Sequence, residues 1–418
     1  MSALKIWNGT GWSNITISND AMPWSEITTS QTLVPGIRYV INSASLITLT
    51  LPVTCLAGSI FVIIGKGTGG WKVVANSGQT IYKSGENAII TDGTLISNNY
   101  QDVVRIECIT VDTGFMVTYH EGSPSLAPGT RGLFSGGSSD AASTVTNTID
   151  YINIASTGNA ADFGDLVVAR QTVGSCASTT RGITNGGITS GTSYFNNIDY
   201  FTFSTTGNAA DFGDQVSARY GMSDCSSLTR GIFFGGNNGS DSNIIEYITI
   251  AVLGNTTDFG VLTLARYAVG GFSSPTRGIA GGGNAGGINT IDYITIASTG
   301  NATDFGDLSV TRGYLTGCSS AIRGIFAGGN SYSNVIDYIT IATTGNATDF
   351  GDLTVGRQTL GALSSNLRGV IGGGNTGSVS GVIDYITIAS ASNATSFGSL
   401  SVARNWLAGC SNCHGGLA

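Results

Sequence analysis

Short runs of β-branched and apolar residues, interrupted by single polar residues, follow one another along this chain. From residue 131 onward the same set of runs recurs. One example, VIDYITI at residues 335–341, is typical of a β-strand and shows no helical period. In that unit we expect four strands, at residues 323–329, 335–341, 350–355 and 357–365. Six units follow at intervals of 45 to 50 residues, and they open on Arg131, Arg181, Arg230, Arg277, Arg323 and Arg368.

Four antiparallel strands per unit describe one blade of a β-propeller, so six units predict six blades. A further strand, expected at residues 404–411, follows the sixth unit and supplies the strand that the first unit lacks. If this strand completes the first blade, the ring closes and no sheet edge stays exposed. A solenoid of stacked units is the alternative architecture.

Residues 1–122 share nothing with the repeat and are expected to form a separate β-rich module, of sandwich or barrel type. Its clearest strand signals lie at residues 46–51, 60–65, 71–75, 103–111 and 115–119. Residues 123–130, which contain two prolines, are expected to link this module to the propeller at residues 131–418. The predicted fold class is therefore all-β, with two domains.

Charge restricts the classes of partner. Only 11% of the residues are charged and the net charge is −8, which argues against a nucleic acid or an anionic membrane surface as partner. No apolar run is long enough to cross a bilayer, so no membrane insertion is expected. Most of the seven cysteines occupy apolar positions of the pattern, which predicts buried free thiols and synthesis in a reducing cytoplasm.

Arginine replaces lysine throughout the repeat. Every lysine lies before residue 84, whereas each unit carries one arginine at its opening and another near its end. This register predicts structural ion pairs, since the planar guanidinium binds a carboxylate and a carbonyl together. We expect the opening arginines to contact the acidic residues of the GNATDFGD turn. We expect the second set, Arg170, Arg219, Arg266, Arg312, Arg357 and Arg404, to share a face with Asp150, Asp199, Glu246, Asp292, Asp337 and Asp384.

Several motifs suggest chemistry but are better explained by the repeat. The Asp-Phe-Gly triplet recurs in five units without a nucleotide-binding loop, so its Phe is expected to fill the gap between blades. A calcium loop at Asn301, Asp304 and Asp307 is an alternative, although Ca²⁺ needs six to eight oxygen ligands. The chain has only two histidines, and Cys413-His414 lacks further ligands. We therefore expect no enzymatic activity, no cofactor and no metal.

Binding is expected where the repeat varies. The loops after the Gly doublets differ in length and carry polar residues beside a few aromatic rings, a combination that suits glycan or protein recognition. They span residues 138–146, 188–197, 237–243, 284–290, 330–334 and 375–380. The candidate ligand-binding residues are Tyr194, Phe195, Asn237, Asn238, Asp241, Tyr332 and, lining the central channel, Trp406.

The unit resembles the kelch repeat, because Gly328-Gly329, Asp337-Tyr338, Phe350 and Arg357 stand at the corresponding places. Kelch units usually carry Trp where this chain has Phe350 and its equivalents. The N-terminal module, through KIWNGTGW and LTLP…GSIFVIIGKGTGGWKV, is similar to modules of bacteriophage tail fibres, as are the GNATDFGDL units.

The fibre resemblance implies a structural protein of the virion, made in the host cytoplasm and assembled as a homotrimer. The N-terminal module would join other virion proteins, and the propeller would bind a host-surface glycan or protein. A purely structural or decorative virion protein and a cellular lectin-like scaffold are the alternatives.

Overall fold

The computed structural model describes residues 5–7, 12–14, 22–67, 69–83, 89–91, 93–97, 102–121, 125–127, 131–140, 144–189, 193–284 and 286–417. The chain divides into two compact units, Met1–Gly129 and Thr130–Ala418. Among the described residues the only helical element is the 3₁₀ turn Gly415–Leu417. The predicted all-β class is confirmed.

The N-terminal unit contains fourteen described strands. The five strand regions expected from the sequence correspond to β6, β7, β8, β12 and β13. The strands are β1 (Lys5–Trp7), β2 (Trp12–Asn14), β3 (Trp24–Ile27), β4 (Gln31–Thr32), β5 (Arg38–Ile41), β6 (Ile47–Thr50), β7 (Ile60–Gly65), β8 (Trp71–Val74), β9 (Thr80–Lys83), β10 (Ile89–Thr91), β11 (Thr94–Ile96), β12 (Val103–Thr110), β13 (Gly114–Glu121) and β14 (Ser125–Ala127).

Two sheets enclose one hydrophobic core in this unit. One sheet has the strand order β10, β9, β13, β12, β7, β5, β3, and the other has the order β14, β11, β8, β6, β4. The pairs β3–β5, β5–β7, β4–β6 and β6–β8 are parallel, so the chain alternates between the two sheets as it advances. Phe61 and Phe115 from one sheet and Leu49 and Trp71 from the other share the core. The sequence did not predict this parallel stacking.

Part of the expected linker belongs to the N-terminal unit. Residues 125–127 form β14, which pairs antiparallel with β11. Residues 123, 124 and 128–130 lie outside the described residues, as do residues 8–11 of the KIWNGTGW motif.

The second unit is a six-bladed β-propeller in which each blade is a four-stranded antiparallel sheet. From the innermost strand outward the blades comprise Ala408–Ser411, Arg131–Ser135, Thr148–Asn153 and Ala161–Asp165 (blade 1); Gly174–Ala177, Arg181–Asn185, Asn197–Thr202 and Ala210–Asp214 (blade 2); Ser223–Ser226, Arg230–Phe234, Ile244–Thr249 and Thr257–Val261 (blade 3); Gly270–Ser273, Arg277–Gly281, Ile288–Thr295 and Thr303–Arg312 (blade 4); Thr316–Ser319, Arg323–Ala327, Val335–Thr340 and Thr348–Asp352 (blade 5); and Gly361–Ser364, Arg368–Gly372, Val382–Thr387 and Thr395–Ser399 (blade 6).

The last strand of the chain closes the ring. Ala408–Ser411 pairs antiparallel with Arg131–Ser135 and becomes the innermost strand of blade 1. This strand and its neighbour in blade 6 are shorter than expected, because residues 357–360 and 404–407 cross from one blade to the next before the strand begins. The Gly doublet ends the second strand of each blade, since Gly328 and Gly329 adopt φ values of 69° and 135°.

Buried ion pairs join each crossing segment to the blade it enters. The guanidinium Nη2 atoms of the second arginine set lie 2.5–3.1 Å from the carboxylates of the acidic set, and both side chains of every pair are almost fully buried. In most blades the same carboxylate also accepts hydrogen bonds from the segment that ends the preceding blade, as Asp337 does from Ser309. The pairs are Arg170–Asp199, Arg219–Glu246, Arg266–Asp292, Arg312–Asp337, Arg357–Asp384 and Arg404–Asp150.

The opening arginines do not contact the acidic residues of the turn, so that expectation was wrong. The Arg323 guanidinium lies 4.3 Å from the ring centroid of Tyr338 and donates a 3.0 Å hydrogen bond to the carbonyl of Ile388 in the next blade. The other five arginines make equivalent contacts. The antiparallel register explains the preference, because Arg323 pairs with Thr340, which places Tyr338 diagonally across on the neighbouring strand.

The constant turn joins blades in a second way. The Asn346 side chain accepts a 3.1 Å hydrogen bond from the Asp307 backbone of the preceding blade, and Asn159, Asn208, Asn255, Asn301 and Asn393 do the same in the other gaps. The Phe of each Asp-Phe-Gly triplet is buried between blades: Phe163, for instance, packs edge-on against Tyr151 of its own blade and Phe201 of the next. Among the described residues no three His, Cys, Asp or Glu side chains converge as metal ligands.

Candidate binding face and central channel

Six residues, one at each crossing between blades, form a closed ring of backbone hydrogen bonds around the channel. All six adopt positive φ values, between 55° and 65°. The N–H of each donates to the carbonyl of the one before it, at 2.7–3.0 Å, and Thr172 N donates to Trp406 O to close the circle. We call this the backbone ring: Thr172, Gly221, Ala268, Tyr314, Thr359 and Trp406.

The backbone ring is an unusual arrangement, because only one of its members is glycine. Non-glycine residues rarely adopt this left-handed conformation, which carries a steric penalty for Cβ. Six cooperative hydrogen bonds offset that penalty and fix the orientation of the side chains at the rim of the channel. The rim is therefore a rigid platform, on the face that also carries the loops after the Gly doublets; we call this face the loop face.

Five aromatic rings contact one another in series on the loop face, around part of the rim. Tyr194 stacks on Tyr220 at 5.4 Å, and edge-on contacts of 5.1–6.1 Å continue through Tyr267 and Tyr314 to Trp406. All five rings are half-buried, so each keeps part of its surface accessible. We call this set the aromatic crescent.

The crescent is held by the scaffold beneath it. Tyr220 and Tyr267 directly follow Arg219 and Arg266 of the buried ion pairs. Tyr314 and Trp406 belong to the backbone ring. A 3.1 Å hydrogen bond joins the hydroxyls of Tyr267 and Tyr314, and burial raises the pKa of the Tyr314 hydroxyl further above its ordinary value. The Tyr314 hydroxyl therefore stays neutral at physiological pH, and the rings are fixed by the scaffold that carries them.

Two members of the crescent, Tyr194 and Trp406, are among the residues predicted from the sequence, and the other three are not. Tyr220 and Tyr267 directly follow the repeated arginine, where the other blades carry Gln171, Gly313, Gln358 and Asn405. Tyr314 lies two residues after it, where the other blades carry Thr172, Gly221, Ala268, Thr359 and Trp406. An aromatic residue at a position that is small or polar in most blades was the available signal.

The remaining candidates lie on the same face but outside the crescent. Asn237 donates a 2.9 Å hydrogen bond to Asp241, and these residues with Asn238 form a compact turn next to Tyr220. Phe195 is half-buried and its backbone pairs with Gly187 and Arg219. Tyr332 is 46% exposed and makes no ring contact within the described part of the chain. Loop residues 141–143, 190–192 and 285 lie outside the described residues.

The channel below the rim has two sections. The upper section has a volume of about 100 Å³ and is bounded by the backbone ring, by Asp224 and by the glycines of the innermost strands. The lower section, of about 60 Å³, reaches from Asp224 to His414. Trp406 lines the upper section, where the sequence analysis expected it.

Serine hydroxyls surround the lower section. Ser226, Ser273, Ser319, Ser364 and Ser411 each donate to the backbone carbonyl of the equivalent residue in the preceding blade, at 2.5–2.8 Å. Ala177 takes the sixth place, and there the imidazole Nε2 of His414 lies 3.1 Å from both Ala177 O and Ser226 Oγ. The C-terminal 3₁₀ turn thus closes this end of the channel.

The seven cysteines are all free. Cys176, Cys225, Cys318 and Cys410 are buried on the innermost strands, and burial raises the pKa of each thiol, so none is ionised at neutral pH. Cys413 lies after the last innermost strand and not within it, and its thiol donates a 3.7 Å hydrogen bond from Sγ to Ser364 O.

Nothing outside this geometry identifies the site. No protein-family model matches the chain, and no curated protein matches it either. Among the described residues, no helix has the length and apolar character that a membrane span requires. The loop face and the channel are therefore the structural features that bear on function.

Proposed function

We propose that this protein is a host-attachment component of a virion appendage, and that its propeller binds a surface glycan on the aromatic crescent. The observation that carries the proposal is the crescent itself: five half-buried rings in series around the rim of a channel. Aromatic faces stack on the apolar faces of sugars, and adjacent amide and carboxylate groups bond their hydroxyls. Asn237, Asn238 and Asp241 supply such groups beside Tyr220.

Charge restricts the glycan to a neutral or amine-bearing one. Residues 131–418 carry 12 arginines, no lysine and 18 acidic residues, a formal charge of −6. Six of the arginines are buried in ion pairs and the other six stack on tyrosines between blades. No cation on the loop face is available in the described part of the chain to bind a sialic acid, sulfate or phosphate group.

The assignment to a virion rests on the sequence motifs. The Gly doublet, the Asp-Tyr pair and the terminal arginine support a kelch-like repeat, and the N-terminal motifs support a tail-fibre module. In this proposal the protein is made in the host cytoplasm. The N-terminal unit joins other virion proteins and brings together three copies of the chain. The loop face contacts the host surface. A homotrimer would present three crescents, and the avidity would offset weak binding at each one.

A glycan array probed with the full-length chain tests the proposal, followed by calorimetry on the best glycan. We expect Tyr220→Ala and Tyr267→Ala each to lower the affinity by about tenfold, since an aromatic contact contributes roughly 1–2 kcal/mol. Tyr332→Ala is the matched control, because Tyr332 is an exposed ring on the same face outside the crescent. Absence of any retained glycan, or equal binding by the crescent variants, would favour a purely structural or decorative role.

A further inference from the structure

Three polar residues interrupt the apolar register at one place in the propeller. Gln215 stands where the other five blades have leucine: Leu166, Leu262, Leu308, Leu353 and Leu400. Asp224 stands where they have a small residue: Ser175, Gly271, Gly317, Ala362 and Gly409. Asn185 stands where they have Ser135, Phe234, Gly281, Ala327 and Gly372. All three are buried, and the fold brings them together between blades 2 and 3.

These side chains form a directed hydrogen-bond chain that ends at a carboxylate. Gln215 Nε2 donates a 2.7 Å hydrogen bond to Asn185 Oδ1, and Asn185 Nδ2 in turn donates to Asp224 Oδ2. The other oxygen, Asp224 Oδ1, has no hydrogen-bond partner in the described part of the chain, although it is buried. Gly174 leaves room for it, since a Cβ at that position would lie 2.5 Å from Oδ1.

Asp224 borders both sections of the channel. Arg219, whose charge acts on Asp224, forms its 2.7 Å ion pair with Glu246 and not with Asp224. A buried carboxyl group without a counter-ion is strongly unfavourable in its ionised form, and it is retained in proteins mainly where it serves a ligand or a switch. The upper section provides the space, because a water molecule needs only roughly 10–15 Å³ of such a cavity, whereas this section measures about 100 Å³.

We propose that the upper section binds the protonated primary amine of an amino sugar, with the Asp224 carboxylate as its counter-ion. This inference rests on the proposed function: the crescent holds the sugar ring, and the ammonium group enters the rim. Tyr314 and Trp406 line the same section, and aromatic rings around a carboxylate form a recurrent ammonium site through cation–π attraction. Gln215 and Asn185 are positioning residues, because they orient the carboxylate without touching the ligand.

Titration supports this assignment. Burial raises the pKa of Asp224 to about 8, so without a ligand this carboxyl group is mostly protonated at neutral pH. A bound ammonium favours the ionised carboxylate, so binding releases close to one proton. The other titratable groups that face Asp224 keep their protonation state when the ligand binds. Burial holds the thiols of Cys176, Cys225 and Cys410 neutral and lowers the pKa of His414 to about 4, and Arg219 remains paired with Glu246.

Calorimetry on the full-length chain tests the proposal with two matched ligands, a trimer of glucosamine and the trimer of N-acetylglucosamine. We expect the amine form to bind the wild type at least about tenfold more tightly at pH 7, where its amine is mostly protonated. Asp224→Asn should remove that preference, and Asp224→Ala, which copies Ala362 of blade 6, should do the same. Asp349→Asn, at an exposed acid on the outermost strand of blade 5, is the control and should keep it. Titration in two buffers of different ionisation enthalpy should show proton release for the wild type at pH 7 and none for Asp224→Asn.

The outcomes separate this inference from the proposed function. Equal binding of the two trimers would overturn the ammonium site and leave glycan binding intact. Failure of both trimers and of every glycan on the array would overturn both. If a lysine amide binds as tightly as the glucosamine trimer, the site takes a protein ammonium group and the amino-sugar assignment is wrong.

Discussion

Arg404 and Asp150, which lie 254 positions apart in the chain, form a fully buried ion pair with 2.8 Å between Nη2 and Oδ2. Arg404 Nη1 also donates to the Thr148 carbonyl at 2.7 Å, and Asp150 accepts two further bonds from Ser401. The pair joins the last segment of the chain to the first blade, so the ring is closed by side chains as well as by the strand that follows.

Arg404→Ala is expected to destabilise the propeller by about 3–5 kcal/mol, because it leaves the buried Asp150 carboxylate without its counter-ion. Scanning calorimetry measures the effect as a lower Tm. The double variant Arg404→Leu/Asp150→Leu should recover most of the loss, since it removes both charges. Arg312→Ala should show a similar loss, and equal melting of either single variant and the wild type would contradict a structural role.

The stacked arginines predict a measurable coupling. A double-mutant cycle on Arg323→Ala and Tyr338→Leu should give a coupling free energy of about 1–2 kcal/mol, because the guanidinium lies 4.3 Å from the ring and the arginine is half-buried. Urea denaturation of the four proteins supplies the values. Additive effects of the two changes would mean that the contact contributes nothing beyond its packing.

The propeller, its six blades and its closing strand could be predicted from the sequence, since each depends on a pattern that recurs six times. The contact partner of Arg323 could not be predicted, because the choice between the acidic residues of the turn and Tyr338 depends on strand register and on the position of the next blade. Asn185, Gln215 and Asp224 stand in three different strands or turns of the sequence. Their common location appears only when blades 2 and 3 are packed together.

The backbone ring predicts which substitutions the rim tolerates. Ala268 has a φ of 57°, so Ala268→Gly should change the stability by less than about 1 kcal/mol, as relief of Cβ strain offsets the lost entropy and methyl contact. Ala268→Val should lower it by at least about 2 kcal/mol, because β-branched residues are outliers in this conformation. Thermal melts of the two variants check the order. If valine were tolerated as well as glycine, the left-handed conformation would not be required at this rim.

Burial of Asp224 is expected to make the folded protein less stable as the pH rises, the opposite of the usual behaviour of a paired carboxylate. Burial raises the pKa of this carboxyl from 3.8 to about 8. Between these values the folded state binds more protons than the unfolded state, so the Asp224 contribution is fully present below pH 3.8 and is lost as the pH rises to 8. Asp224→Asn should therefore raise Tm by at least about 5 °C at pH 8 and by little at pH 4. Asp241→Asn is the control, and a gain that is equal at both pH values would refute the buried titration.

His414, at the other end of the channel, is expected to make the folded protein less stable as the pH falls. Gly416 N donates a 3.1 Å hydrogen bond to Nδ1, so Nε2 carries the proton and donates toward Ala177 O. Burial lowers the pKa of this ring from 6.5 to about 4, and a second proton would set Nδ1–H against the Gly416 N–H. The stability that the neutral ring contributes is therefore present above pH 6.5 and is lost as the pH falls through 4. Because the chain has only two histidines, NMR titration with His414→Gln as the assignment control measures this pKa directly. A His414 midpoint near 6.5 would show that the C-terminal turn does not close the channel in solution.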